Sequence, residues 1–339
     1  MKIFHKGKLV SQYGKGRKIE GRTKITRRLI TQYKFDKSIY DNLIPEFNPE
    51  STNYEIVDVC FDTEDIVTRA IYSNKPPTSI SFEDKAGLLE VYYVDTSRLT
   101  SASNLFYNCE NLTYVDLRNS DFSNVETIER MFTSCVNLLT IDGLNELNVS
   151  KVHNMGGLFS DCRKLSEINV SNWDVSKVTN FGAAFRRCYE ITTLDISNWD
   201  TSSATLMSGM FTSCTKLLSI DLSNWNMNNV TTVNQMFYDC SKLTSLNLYN
   251  HLNVGVDTLY LFGKCNSLNE VKIYNSDYNS VNKIIVQLPT RTQDSLGALN
   301  IIGIDDINQV DMTTVNSKYW TIVSHTILNN ARLGQTKLN

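Results

Sequence analysis

Proline and histidine are scarce: the 339 residues contain five prolines and four histidines. The histidines, His5, His153, His251 and His325, lie far apart, and none has a second ligand at a metal spacing. Each therefore reads as a surface or turn residue. No spaced Asp-x-Asp-x-Asp-Gly loop is present, which removes the usual calcium signature, and "GIDDINQVD" is not a close substitute. There is no phosphate-binding loop, nucleophile elbow or Cys-x-x-Cys redox pair. The expectation is a protein without catalytic residues, cofactor or metal. No apolar run approaches the roughly 18 residues needed to cross a membrane. The basic start is not followed by the roughly 7–15 apolar residues of a secretion signal. The chain is thus expected to reach its site by assembly into a larger particle, unless an export segment is missing.

The net charge of −3 hides an asymmetry. Residues 1–37 hold 12 Lys/Arg against 2 Asp/Glu, and the remainder holds 21 against 34. A basic arm, carrying Lys15, Arg17, Lys18, Arg22, Lys24, Arg27 and Arg28, precedes an acidic body. Such an arm suits attachment to a partner protein or to the body itself. Nucleic acid is not expected, because no recognition motif accompanies the charge.

The most informative feature is a repeat. Cysteines fall at Cys109, Cys135, Cys162, Cys188, Cys214, Cys240 and Cys265, spaced by 26, 27, 26, 26, 26 and 25 residues. A phenylalanine stands three before each, from Phe106 to Phe262, and an aliphatic three after each, from Leu112 to Leu268. A short alternating run follows ("TLDI", "SIDL", "SLNL"), then in three copies a tryptophan, Trp173, Trp199 and Trp225. Fixed-period self-similarity means stacked units, each too small to bury its own apolar side. The alternating run predicts a very short strand. Val230, Val233, Met236, Phe237 and Cys240 fall at helical spacings and predict a short helix or helical turn. The fold class expected is an α/β solenoid, leucine-rich-repeat-like, in which short parallel strands stack with short helical segments at a period of about 26 residues, preceded by a small β-rich cap.

The stretches "EINVSNWDVSKVTN", "LTSLNLYN" and "MSGMFTSCTKL" resemble the BspA-like leucine-rich repeat, L-x-x-L-D-L-S-N-W-D-T-S-x-V-T-x-M-x-x-M-F-x-x-C. The resemblance covers about residues 99–276, with His251 and Ser276 in place of the tryptophan and one extra residue in "TIDGLNELNVSKVHNM". It implies surface adhesion or ligand recognition, and such repeats also occur in phage-encoded structural proteins. The apolar and aromatic segment from Ile30 to Phe47 is similar to the openings of some of those phage proteins.

Four regions follow. Residues 1–50 form the basic arm and attachment segment, "KIFHKGKLV" reading as a hairpin and Asp36–Leu43 as a short helix. Residues 51–98 form a β-rich cap of four strands, the last alternating at Leu89, Val91 and Tyr93 and already mimicking a repeat. Residues 99–276 hold seven repeats. Residues 277–339 hold a degenerate repeat and a departing cap in which Tyr319 and Trp320 pack, with a polar tail.

Seven of the eight cysteines sit in register with core hydrophobics, so they read as free buried thiols forming a ladder rather than as disulfides. Asp174 and Asp200 read as turn and cap formers. The tryptophans either stack at the edge of the core or contribute to ligand binding. Asp116, Asp142, Asp195 and Asp221, with Asn169 and Asn247, recur between apolar strand positions and are expected as an exposed ladder. The candidate recognition face comprises Glu167, Thr193, Asp195, Ser219, Asp221, Ser245 and Asn247.

The functional expectation is a non-enzymatic structural and recognition protein of a bacteriophage virion, a tail or head decoration. Its N-terminal region would hold other virion proteins and its repeat face a host-surface protein or glycan, as a monomer or a homo-oligomer. The alternative is a bacterial cell-surface adhesin of the BspA-like class that binds host proteins or other cells.

Overall fold

The computed structural model describes residues 2–5, 8–12, 28–39, 43–47, 54–63, 65–73, 75–249, 256–274, 278–304 and 306–327. The first strands are β1 (Lys2–His5), β2 (Lys8–Gln12), β3 (Arg28–Asp36), β4 (Glu46–Phe47), β5 (Tyr54–Phe61), β6 (Ile66–Ser73), β7 (Ile80–Ser81) and β8 (Leu88–Val94). β1 pairs with β2 antiparallel, as the hairpin reading requires. The order β5-β6-β3-β8 is antiparallel, and β4 pairs with β7. β8 then pairs in parallel with β9 (Tyr114–Asp116), which pairs in parallel with β10 (Thr140–Asp142). One strand therefore joins the antiparallel unit to the stacked coils.

Two local expectations change here. The helix expected over 36–43 is not present at its described residues: Asp36 closes β3 and 37–39 turn. The Asp36 and Lys37 amides are taken by the carbonyls of Gly87 and Asp65 (2.9 and 2.7 Å), which carries the sheet hydrogen bonding into the segment read as the start of the helix. In β8 the core takes Leu88, Val91 and Val94 while Leu89 and Tyr93 stay half-buried, because two register shifts against β3 break the simple alternation.

From β8 the chain winds as a β-solenoid of about 9 turns with a period of ~26 residues. Parallel bridges link Ser101, Thr127, Asn154, Asn180, Leu206, Thr232 and Asp257 in unbroken series along one side. The segments after each bridge, expected as helical, are paired reverse turns. Residues 104 and 108, 130 and 134, 157 and 161, 183 and 187, 209 and 213, 235 and 239, 260 and 264 all have positive φ. Each turn closes with a bond such as Leu105 N–H to Ala102 O (3.3 Å) or Cys109 N–H to Phe106 O (3.3 Å). The amides in between point along the solenoid axis: Ala102, Asn104, Phe106 and Asn108 donate to Thr127, Glu129, Met131 and Thr133 of the next coil. A left-handed residue every four positions ends any helix, yet such turns still bury residues three and four apart, and Val230, Val233, Met236, Phe237 and Cys240 are all buried. The apolar spacing was right and its cause was different.

The core is continuous from Ile30 to Trp320. Its spine is a column of phenylalanines, Phe82, Phe106, Phe132, Phe159, Phe185, Phe211, Phe237 and Phe262, with successive centroids 5.3–6.2 Å apart and near-parallel rings. Offset ring pairs contribute about 0.5–1.5 kcal/mol each beyond burial. Beside the column run the seven cysteines, all free and buried. Each thiol donates to the carbonyl of the previous coil's phenylalanine, for example Cys214 Sγ to Phe185 O (3.1 Å) and Cys240 Sγ to Phe211 O (3.1 Å).

Past the last cysteine the solenoid continues with different parts. After β11 (Ser219–Leu222), β12 (Ser245–Tyr249) and β13 (Glu270–Tyr274), α1 (Tyr278–Gln287) and α2 (Met312–Ser317) replace the paired turns, and β14 (Gly297–Ile304) and β15 (Trp320–Ile327) extend the parallel sheet. Helices thus occur where the Phe and Cys pattern is lost. Trp320 packs as expected, buried and lying flat on Gly297, where a Cβ would meet its ring at 2.4 Å. Tyr319 does not: it is the left-handed residue that turns the chain into β15, and it is exposed.

Two outcomes are expected. Phe185→Ala should lower stability by about 3–5 kcal/mol in chemical denaturation, since it opens a cavity between two stacked rings. Burial pushes the thiols up, Cys109 and Cys214 to about 12, against about 8.5 in an unfolded chain. The folded state therefore keeps protons that the unfolded state loses, and stability falls as pH rises from ~9 towards ~12, by up to about 1.4 kcal/mol per pH unit per thiol. Urea titrations across that range, repeated on Cys214→Ala, should show a shallower fall in the variant.

Candidate functional site

The strand side of the coils presents alternate residues outward. Glu167, Thr193, Asp195, Ser219 and Asp221 are exposed, and Ser245 and Asn247 are half-buried. Pairing in register sets Ser219 beside Ser245 and Asp221 beside Asn247. Two of these residues also shape the backbone. Asp195 accepts from Ser197 N–H (3.3 Å) and Asp221 from Ser223 N–H (2.9 Å), closing the turn that leaves the strand. Asp174 and Asp200 do the same one corner later, for Ser176 and Ser202 (3.1 and 3.0 Å), and the Ser176 bonds hold the Asp174 carboxyl below its usual range.

The expected exposed carboxylate ladder fails at its first member. Asp116 is buried and clamped by Arg118, Nε to Oδ1 at 2.9 Å and Nη2 to Oδ2 at 2.6 Å. The next coil carries the extra residue, and there Leu144–Glu146 form a 3-10 turn whose entry, Gly143, packs against Arg118. Gly143 enters that turn at φ 78°, and a Cβ there would stand 2.5 Å from Arg118 N. Arg118 also lies 3.4 Å from Asp142, whose carboxylate accepts from the Tyr114 hydroxyl (2.7 Å).

The strand ladder is interrupted while the turn ladder is not. β10 ends one sheet and β11 begins the other. Between them 166–170 and 192–196 form no strands, and no backbone hydrogen bond joins 166–170 to β10 or to 192–196. The interruption coincides with the tryptophans. Trp173, Trp199 and Trp225 are buried, and each indole N–H donates to a carbonyl of the preceding coil, Leu144 (2.8 Å), Val170 (3.1 Å) and Ile196 (3.0 Å). Trp199 and Trp225 stack with centroids 6.2 Å apart, a spacing that Phe237 and Phe262 share where β12 and β13 pair normally. Where the upper coil has Leu147 or His251 instead, the strands below pair normally. The tryptophans are thus packing groups, and the interrupted strand ladder lies beneath the coils that carry them.

A groove lies at the first of these. It holds about 550 Å³ between Leu139–Glu146 on one wall and Ser166, Glu167 and Asn169 on the other. Its charged groups are Asp142, Glu146 and Glu167. A second depression, about 360 Å³, meets it at Leu139 and is lined by Asp36, Ile39, Leu89, Asn111, Thr113, Asn137 and Lys164. Leu139 is half exposed where the two join. The arrangement offers strand edges, carboxylates and amides for hydrogen bonding.

Of the arm, Lys15, Arg17, Lys18, Arg22, Lys24 and Arg27 lie outside the described residues. Arg28 opens β3 and is paired at 2.6 Å with Asp95, a buried carboxylate at the end of β8. Arg28 therefore belongs to the body. Among the described residues no three His, Cys, Asp or Glu side chains converge as metal ligands, and no helix is long and apolar enough to cross a membrane. Sequence reasoning missed the groove. Its signals were the single 27-residue spacing around Gly143 and the three consecutive tryptophans.

Residues 100–194 and 166–276 match the model of a family described as Mycoplasma protein of unknown function, DUF285. Together the matches span more than half of the chain. Neither a curated protein nor a solved structure matches it.

Gly143→Ala should cost about 1–3 kcal/mol, since it places a Cβ against backbone at a left-handed position, and calorimetry would show it as a lowered Tm. Hydrogen exchange should find the amides of 166–170 and 192–196 weakly protected beside those of β11 and β12. Equal protection would mean that the strand side is closed in solution.

Proposed function

The chain belongs to the DUF285 family of Mycoplasma-type repeats, and we propose that it is a non-enzymatic recognition protein whose repeats are of the BspA-like leucine-rich class. The observation that carries this reading is the strand side: a regular array of exposed Glu167, Thr193, Asp195, Ser219 and Asp221 on a rigid, continuously packed rod. Arrays of this kind bind proteins, peptides or glycans, because ligand groups at a fixed repeat meet side chains at a fixed repeat.

In this proposal the protein is a structural component of a bacteriophage particle. The N-terminal region holds other virion proteins, and the strand side contacts a host-surface protein or glycan. The net positive charge of residues 1–37 against an acidic remainder supports a division of labour between attachment and recognition. A second reading, a bacterial surface adhesin that binds host proteins or neighbouring cells, is favoured by the family description, which names a bacterium.

Mass spectrometry of purified phage particles and protease shaving of intact cells separate the two readings. Presence in particles supports the first, release from cells supports the second, and absence from both overturns both. The double change Glu167→Lys with Thr193→Arg alters side chains that make no hydrogen bond among the described residues. It should lower host-cell binding about tenfold with Tm unchanged, as expected for surface charges in a recognition patch. Unchanged binding would exclude the strand side as the contact.

A further inference from the structure

We propose that the groove beside β10 takes up an extended, lysine- or arginine-bearing segment of a partner protein as an added strand. This names the partner chemistry of the strand side and rests on that side being the recognition surface.

The backbone comes first. β10 is laddered to β9 on one side only, and its other side faces the groove. The opposite wall, 166–169, donates no backbone hydrogen bond to a neighbouring coil. An extended peptide can satisfy such groups by pairing along β10, the mode in which main-chain bonds supply affinity and flanking side chains supply selection. The next coil meets this one at the corner past β10 instead, where buried Trp173 donates its indole N–H to the Leu144 carbonyl. An ordinary solenoid interface would have closed the edge with its own next strand, as β11 and β12 do.

Size and chemistry set the occupant. The groove, about 550 Å³, falls within the ~300–1,000 Å³ range of ligand sites. It adjoins the second depression at Leu139, and that depression crosses successive coils past Leu89, Thr113, Leu139 and Lys164. Both walls carry carboxylates, Asp142 and Glu146 on one and Glu167 on the other. Arg118 is already paired to Asp116 and Asp142, and Lys164 stands in the adjoining depression rather than in the groove. A basic segment is therefore complementary and an acidic one is repelled. Leu139 offers an apolar contact where the two depressions meet.

The test uses the full chain and three nine-residue probes: alternating Thr-Lys, alternating Thr-Glu, and Thr-Lys with alternate backbone nitrogens methylated. Calorimetric titration should show Thr-Lys binding at least about tenfold more tightly than Thr-Glu. Methylation should lose about tenfold or more, because each blocked nitrogen removes a main-chain bond of roughly 1 kcal/mol. Glu146→Lys and Glu167→Lys should each weaken Thr-Lys by about threefold or more. Hydrogen exchange should slow at 140–142 and 166–169 on binding. Equal binding of the methylated probe, protection elsewhere, or no binding at all overturns the proposal, as does closure of the groove by dimerisation of the chain. If the probes fail but strand-side variants still abolish host binding, this inference falls and the recognition reading stands. If the probes bind while those variants leave host binding intact, the recognition reading falls.

Discussion

The carbonyls of the column phenylalanines from Phe106 to Phe237 hold the architecture together. Each accepts the amide of the cysteine three residues on, which closes a turn in its own coil, and the thiol of the next coil's cysteine, which ties two coils. One acceptor thus serves both folding directions, around the coil and along the axis. The ring on the same residue stacks on its neighbours, so polar and apolar coupling act at the same place. No coil satisfies its turn amides alone, since those of residues 102, 104, 106 and 108 and their equivalents point to the next coil. Stability is accordingly a property of neighbouring pairs, and end coils must be completed by other parts of the chain. Phe82, which belongs to the antiparallel unit, does this at one end: its ring stacks on Phe106 and its carbonyl receives the Cys109 thiol.

Cysteine suits its position for reasons that separate it from the other small apolar residues. Alanine would leave space beside the ring column, valine would fill it without donating, and serine would bring a hydroxyl with a stronger desolvation cost. A thiol is nearly apolar and still donates weakly. Burial keeps it protonated, which a donor requires.

Much of this was legible from spacing. The Phe, Cys and aliphatic positions fall in the core as read, the free thiols are free, and the period is the coil length. The helical segments were misread because residues three and four apart face one way in a helix and also in consecutive reverse turns. Only the backbone sign distinguishes them, and residues such as Arg130, Ala183, Gln235 and Tyr260 at left-handed positions give no compositional warning. Asp116 was misread because its environment is set by an insertion one coil later, through Gly143. Those errors come from tertiary contacts that a local pattern cannot carry.

The candidate site follows from competition between two ways of joining coils. On the turn side the amides already point along the axis, so the ladder forms at every step. On the strand side, Trp173, Trp199 and Trp225 take the carbonyls of Leu144, Val170 and Ile196 in the preceding coil, and Trp199 stacks on Trp225. Burying three large rings and bonding their N–H groups outweighs the few ladder bonds of a four-residue strand, whose net value is only about 1 kcal/mol each. A repeat that varied only its exposed residues would change which side chains a partner meets. A repeat that also varies this one buried corner changes whether backbone is offered at all, and here it does so over three consecutive coils, ending at the groove beside β10.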